Sequence, residues 1–138
     1  MKSCKIALAQ INPILGNLVY NKNKILTVLN KLSGKADLVV FPELSLIGYP
    51  PEDLILREKI HLETLKYLKI IKQFATDKGI GVILGAPQAL GKKIGNAAIF
   101  FDGCKTTTIF KNNLPNYGVF DEKRIFKEGP PYDYIKYK

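Results

Sequence analysis

The sequence predicts an α/β fold, with helices covering a mainly parallel sheet and an antiparallel part added late in the chain. Three observations predict it. Short apolar runs recur at residues 5–10 (KIALAQ), 38–41 (LVVF) and 81–85 (GVILG), as strands buried on both faces do. Between them lie stretches with apolar residues at helical spacing, so the order is strand, helix, strand, helix, strand. Finally, two strand-like runs flank Asp102-Gly103, a dipeptide that favours tight hairpin turns.

The elements follow in order. After the first strand, Asn12-Pro13 and Gly16-Asn17 mark a loop. Asn21 is placed to cap a helix whose apolar positions are Ile25, Val28, Leu29 and Leu32, and Gly34 is placed to end it. The second strand is 38–41. Pro51, with Glu52 and Asp53 behind it, reads as a helix start: proline suits the first turn, and acids suit the positive end of the dipole. This helix runs, with a break near Glu58, through Leu62, Leu65, Leu68, Ile71 and Phe74 to about Gly79. The third strand is 81–85. Residues 96–101 and 106–111 then make the hairpin, where the threonines suit a strand. A loop rich in Pro, Asn, Gly and charge runs to Pro131, and 133–137 reads as a further strand beginning. A sheet that stops on a fresh strand is expected to be incomplete.

At 138 residues the chain fits one domain, and 46% apolar with 24% charged residues is a globular composition. Its apolar runs, such as 97–101 (AAIFF), fall far short of the ~20 residues of a membrane span, and no secretory signal is expected at its start. Cys4 and Cys104 offer neither a disulfide framework nor metal-ligand spacing, which points to no metal site and to the reducing cytoplasm. His61 sits in a charged helical stretch and reads as a surface residue. The net charge of +9, from 21 basic against 12 acidic residues, raises the question of nucleic acid. Against it, the basic residues are dispersed and only Arg57 and Arg124 are arginine. Lys66, Lys69 and Lys72 share one helix face, the pattern of a solvated surface. Neither a membrane nor nucleic acid is expected as a partner.

Reactive groups of open α/β sheets gather on loops past the carboxyl ends of strands. Glu43 lies one proline beyond its strand, and Lys111 ends the hairpin just before Asn112-Asn113-Leu114-Pro115-Asn116-Tyr117. Taken singly, each has an ordinary reading. A loop acid can bond backbone N–H groups, and a strand-end lysine can face water.

Taken together, FPELSLIGYPPEDL (41–54) and KNNLPNYGVFDEKRIF (111–126) resemble two blocks of the nitrilase, or carbon–nitrogen hydrolase, superfamily. Within it they are most similar to the glutaminase domains of glutamine-dependent NAD synthetases. The opening residues 5–26 and IGNAAIFFDG (94–103) follow the same family in the same order. A lone Pro-Glu-Leu is common by chance, whereas GYPPEDL paired with LPNYGVFDEKR is specific.

The resemblance implies an αββα sandwich of the nitrilase type, of which these residues supply the first half only. It implies a Glu-Lys-Cys triad in which Glu43 is the general base and the Lys111 ammonium stabilises the oxyanion. Glu122 would support that lysine, and Tyr117 and Tyr49 would contact substrate glutamine. The implied reaction converts glutamine to glutamate and ammonia, which then amidates nicotinate adenine dinucleotide. The glutaminase step needs no cofactor. ATP and Mg belong to the synthetase domain, and no phosphate loop of the form G-x-x-x-x-G-K-S/T occurs here.

The family's cysteine sits in a C-E-D-type elbow after the next strand, a position matched by neither Cys4 nor Cys104. Without that thiolate the 138-residue chain is expected to be inactive by itself. The rest of the glutaminase domain and the synthetase domain are expected to lie outside it. Implied partners are glutamine and either those remaining segments or further copies of the chain. The alternatives are a nitrilase-family amidase for another small substrate and a noncatalytic remnant serving as a binding module.

Overall fold

Period-two alternation along the strands sorts side chains between two very different surroundings. The structure, a computed structural model, describes residues 3–131 and 134–137. Its elements are β1 (Ile6–Leu8), α1 (Leu18–Leu32), β2 (Leu38–Val40), a 3₁₀ turn (Glu52–Leu56), α2 (Glu58–Asp77), β3 (Gly81–Leu90), β4 (Lys93–Phe101), β5 (Thr106–Phe110) and the short α3 (Glu122–Ile125). The strands form one sheet in the order β1-β2-β3-β4-β5. The first three are parallel, and β4 and β5 run antiparallel.

The register places Ala7, Val39, Val82, Leu84, Ala86, Ala97, Ile99 and Phe101 on one face, where they pack with Ile25, Leu29, Leu68 and Ile71 of the two long helices into a single core. Fully burying a side chain of this size contributes about 1.5–3 kcal/mol. The opposite face carries Ile6, Leu8, Val40, Ile83, Ala98 and Phe100. There Ile6 is 58% and Leu8 81% exposed. This is one apolar sheet with one covered side.

The expected order of elements holds, with four differences. Helix α1 begins a turn earlier than expected, capped by Asn17, whose side chain accepts from the Tyr20 N–H. Asn21 is instead buried inside the helix, where it accepts from Ile14 N and donates to Ile14 O and Leu46 O. Along α2 the buried stripe is Ile60, Thr64, Tyr67, Leu68, Ile71 and Ala75, while Leu62 and Leu65 face solvent and His61 is half-buried. Strand β3 runs to Leu90 because β4, beginning at Lys93, pairs with its whole length. The hairpin that turns at Asp102-Gly103 is therefore the second of two.

The fourth difference concerns the last segment. Asp133 lies outside the described residues, and 134–137 form no strand. Tyr137 instead stands edge-on to Phe100 at 5.3 Å and donates to Asp37 O, capping one part of the open face. No helix among the described residues is long and apolar enough to cross a membrane.

Candidate active site

The cluster begins where β2 ends. Phe41 N–H still donates to Ile83 O, and Pro42 then carries the chain to Glu43. At Leu44 the backbone turns through a positive φ of 49°, with its side chain fully buried and its carbonyl accepting from Ile47 and Gly48 N–H groups. The bend lies against β3 at Gly85. A Cβ there would fall 2.1 Å from Leu44 N and 2.7 Å from Glu43 C, so only glycine admits this approach.

Lys111 comes from the end of β5. Its N–H donates to Asn96 O and its carbonyl accepts from Gly129 N–H, fixing the backbone on both sides. The ammonium lies 3.0 Å from Glu43 Oε1, so the expected convergence of these two residues in one cleft is present in the fold. It also lies 3.0 Å from Oε2 and 3.2 Å from Oε1 of Glu122. The Glu122 side chain is only 5% exposed, which makes its cation partner obligatory: a buried carboxylate without one is costly. Tyr49 completes the row by donating its hydroxyl to Glu122 Oε1 at 2.9 Å.

Two carboxylates thus share one ammonium, and their fields decide its protonation. Burial by itself would lower the Lys111 pKa, but its bonds to Glu43 and Glu122 outweigh this and hold it above the ordinary lysine value. Burial, followed by the bond to Glu122 and its charge, pushes the Tyr49 hydroxyl up to about 12. At neutral pH the lysine is a cation and the tyrosine a donor.

The cluster forms one rim of a cleft of about 440 Å³ on the open face, lined by Phe41, Ile83, Ala98 and Ile109 together with Glu43, Asn96 and Lys111. Mostly apolar walls with a few convergent polar groups suit a small ligand. Tyr117 stands apart from the hydrogen-bonded row. It is 71% exposed, and its ring meets Phe120 edge-on at 5.5 Å, with Phe120 in turn 6.5 Å from Tyr49.

Sequence reasoning missed two residues here. Asn96, 3% exposed, donates its side-chain amide to Glu43 Oε1 at 2.5 Å; a lone amide in the apolar run of residues 94–101 was the available signal. Gly85 had no local signal, because its need arises from a segment some forty residues earlier in the chain.

Both cysteines are exposed and lie at the other end of the sheet. Cys4 precedes the start of β1, and Cys104 occupies the turn after Phe101, which pairs with Val82 near the start of β3. Along β5, at ~3.3 Å per residue, Cys104 and Lys111 are on the order of 20 Å apart. Among the described residues, no group of three or more His, Cys, Asp or Glu side chains is placed to hold a metal ion.

Residues 5–136 match the family model of carbon-nitrogen hydrolases. A glutamine-dependent NAD(+) synthetase of Thermotoga maritima is 42% identical over 130 residues, covering 94% of this chain and 23% of the relative. That of Acinetobacter baylyi is 40% identical over 140 residues, covering 99% and 25%. Among solved structures, the glutamine-dependent NAD+ synthetase of Acinetobacter baumannii superposes with a TM-score of 0.84 at 36% identity, over 99% of this chain and 26% of the other. An amidase from Nesterenkonia sp., 24% identical with a TM-score of 0.78 over 93% of this chain and 49% of its own, shares the fold. The chain spans about a quarter of the length of the synthetases it matches.

Proposed function

The chain belongs to the carbon–nitrogen hydrolase family, and on that premise we propose that it supplies the base and the oxyanion-stabilising cation of a glutamine amidohydrolase. The observation that carries the reading is Lys111, charged and held between Glu43 and Glu122 at the rim of an apolar cleft. The relatives named glutamine-dependent NAD synthetases support glutamine as the substrate.

In this reading Glu43 takes the proton of a thiol as its sulfur attacks the side-chain carbonyl of glutamine. The Lys111 ammonium faces the oxyanion that forms, while Glu122 and Tyr49 keep that ammonium charged and aimed. Protonated Glu43 returns the proton to the leaving nitrogen, releasing ammonia and a thioester. It then takes a proton from water, whose hydroxide attacks the thioester, and passes that proton to the departing thiolate, which gives glutamate, the free thiol and Glu43 again as carboxylate. By the family resemblance, Tyr117 and Tyr49 would contact the substrate, although neither lines the cleft itself. Neither Cys4 nor Cys104 reaches the cleft, so the thiol comes from outside these 138 residues, as does the ATP- and Mg-dependent step that would use the ammonia.

The test is a chimera in which residues 1–138 replace the matching quarter of the Thermotoga maritima synthetase. It should release ammonia from glutamine, and Glu43→Gln or Lys111→Met should abolish that release. Full activity in both variants would overturn the assignment. The 138-residue chain by itself should release none, and a glutamine-mimicking electrophile should leave Cys104 unlabelled by mass spectrometry. Ammonia release lost in Cys104→Ala would overturn the placement of the nucleophile.

A further inference from the structure

Resting on the reading of Glu43 as the base, we propose that Asn96 is its positioning residue. The Asn96 amide and the Lys111 ammonium together fill Oε1 of Glu43 and leave Oε2 as the oxygen that accepts the nucleophile's proton.

The two donors converge on one atom. Asn96 Nδ2 and Lys111 Nζ both bond Oε1, and among the described residues no protein donor is recorded on Oε2. An oxygen that already accepts two hydrogen bonds, one of them from a cation, is the poorer proton acceptor. The unbonded oxygen of the same carboxylate is the better one. The glutamate side chain has three rotatable bonds and is 47% exposed, so without anchors it would sample many orientations. Lys111 alone would not fix the carboxylate plane, because one bond to one oxygen leaves the group free to turn about it. Asn96 can fix it, being 3% exposed and built into the middle of a paired sheet, where its rotamer is held.

The same residue also sets the distance between base and cation. Its side chain holds Glu43 and its backbone carbonyl accepts the Lys111 N–H. A displacement of β4 therefore moves both partners together. The other charged and titratable groups near Glu43 reach it through Lys111: Glu122 from α3 and, on it, the Tyr49 hydroxyl from the loop after β2. Among the described residues Asn96 contributes the neutral, non-titrating donor to Glu43, so its bond persists wherever the carboxylate is charged.

The prediction can be read without glutamine, which separates it from the substrate assignment. In NMR spectra of the isotopically labelled chain, the Asn96 side-chain amide should shift as the solution is acidified and Glu43 is protonated. Its protons should also exchange with solvent at least about tenfold faster in Glu43→Ala, the size expected for losing a hydrogen bond to a charged group, and by less in Glu43→Gln, whose amide oxygen can still accept. In Glu43→Gln the acid-dependent shift should vanish. A sedimented sample observed in the solid state serves equally, so poor solubility does not remove the measurement. If the Asn96 amide does not respond to acid in the wild-type chain, or responds alike in Glu43→Gln, the proposal is wrong whether or not the chimera hydrolyses glutamine.

Discussion

The two faces of the sheet are made by the same strands and treated oppositely. On the helix-covered face, Val39, Val82, Leu84 and Ala86 are fully buried in a mostly apolar core. On the open face, Leu8 is mostly in solvent, and the rim carries two carboxylates, an ammonium and an amide. The difference shows where each kind of free energy resides. Transfer of apolar surface stabilises the covered side. Polar groups gather on the side where a small ligand can still reach them.

Substitutions can break or sharpen that division. The largest effect belongs to Glu43→Gln, which should lower glutamine hydrolysis by the chimera about 10²–10⁴-fold while moving the urea midpoint little. A stability loss as large as that of a core residue would deny the division. Next, Leu84→Ala on the covered face should cost about 2–5 kcal/mol in urea unfolding, since Leu84 is fully buried.

Gly85→Ala tests the seam between the faces. Its methyl group would meet the Glu43 and Leu44 backbone, so it should cost about 1–3 kcal/mol and also displace the base. Stability lost with chimera activity intact would show that the Glu43 backbone is not held by this contact. Tyr49→Phe should cost roughly 1 kcal/mol and carries a sign in pH. Because the folded pKa is raised from 10.0 to about 12, the stability linked to this hydroxyl is complete below pH 10 and lost as pH rises through about 12. Unfolding of wild type and Tyr49→Phe across that window should converge at its upper end. Least of all, Leu8→Ser should change stability by no more than about 0.5 kcal/mol yet reduce binding of a hydrophobic dye. A large destabilisation would mean the open face is packed.

Local pattern was enough for the succession of elements along the chain, the break before α2 and the turn at Asp102-Gly103. It also brought Glu43 and Lys111 into view at strand ends, but only the family resemblance gave them roles. What it could not supply depends on partners distant in the chain. Asn21 has the chemistry of a cap, but contacts to Ile14 and Leu46 draw it into the helix interior. Nothing local carries the third strand past residue 85, and residues 86–90 become strand because β4 pairs with them. Asn96 reads as the polar start of a strand, and its role exists only once Glu43 lies beside it. Leu62 and Leu65 fit helical periodicity, yet the stripe centred on Tyr67 and Leu68 wins because it faces the sheet. Tyr117 was chosen by resemblance alone, and its exposed ring is joined to the row only through Phe120.

The sharing of one ammonium by two carboxylates bears finally on how a reaction cycle would end. Within a chain of net charge +9, this rim carries a local excess of one negative charge. In the proposed reaction glutamine would bring a neutral amide to it. Glutamate, the product, would present a new carboxylate at the same place, a third anion competing for a cation already engaged by two. Product should therefore bind far more weakly than substrate, and departure should be assisted by repulsion. In the chimera, added glutamate should inhibit only at concentrations well above those at which glutamine saturates, and Glu122→Gln should make that inhibition stronger.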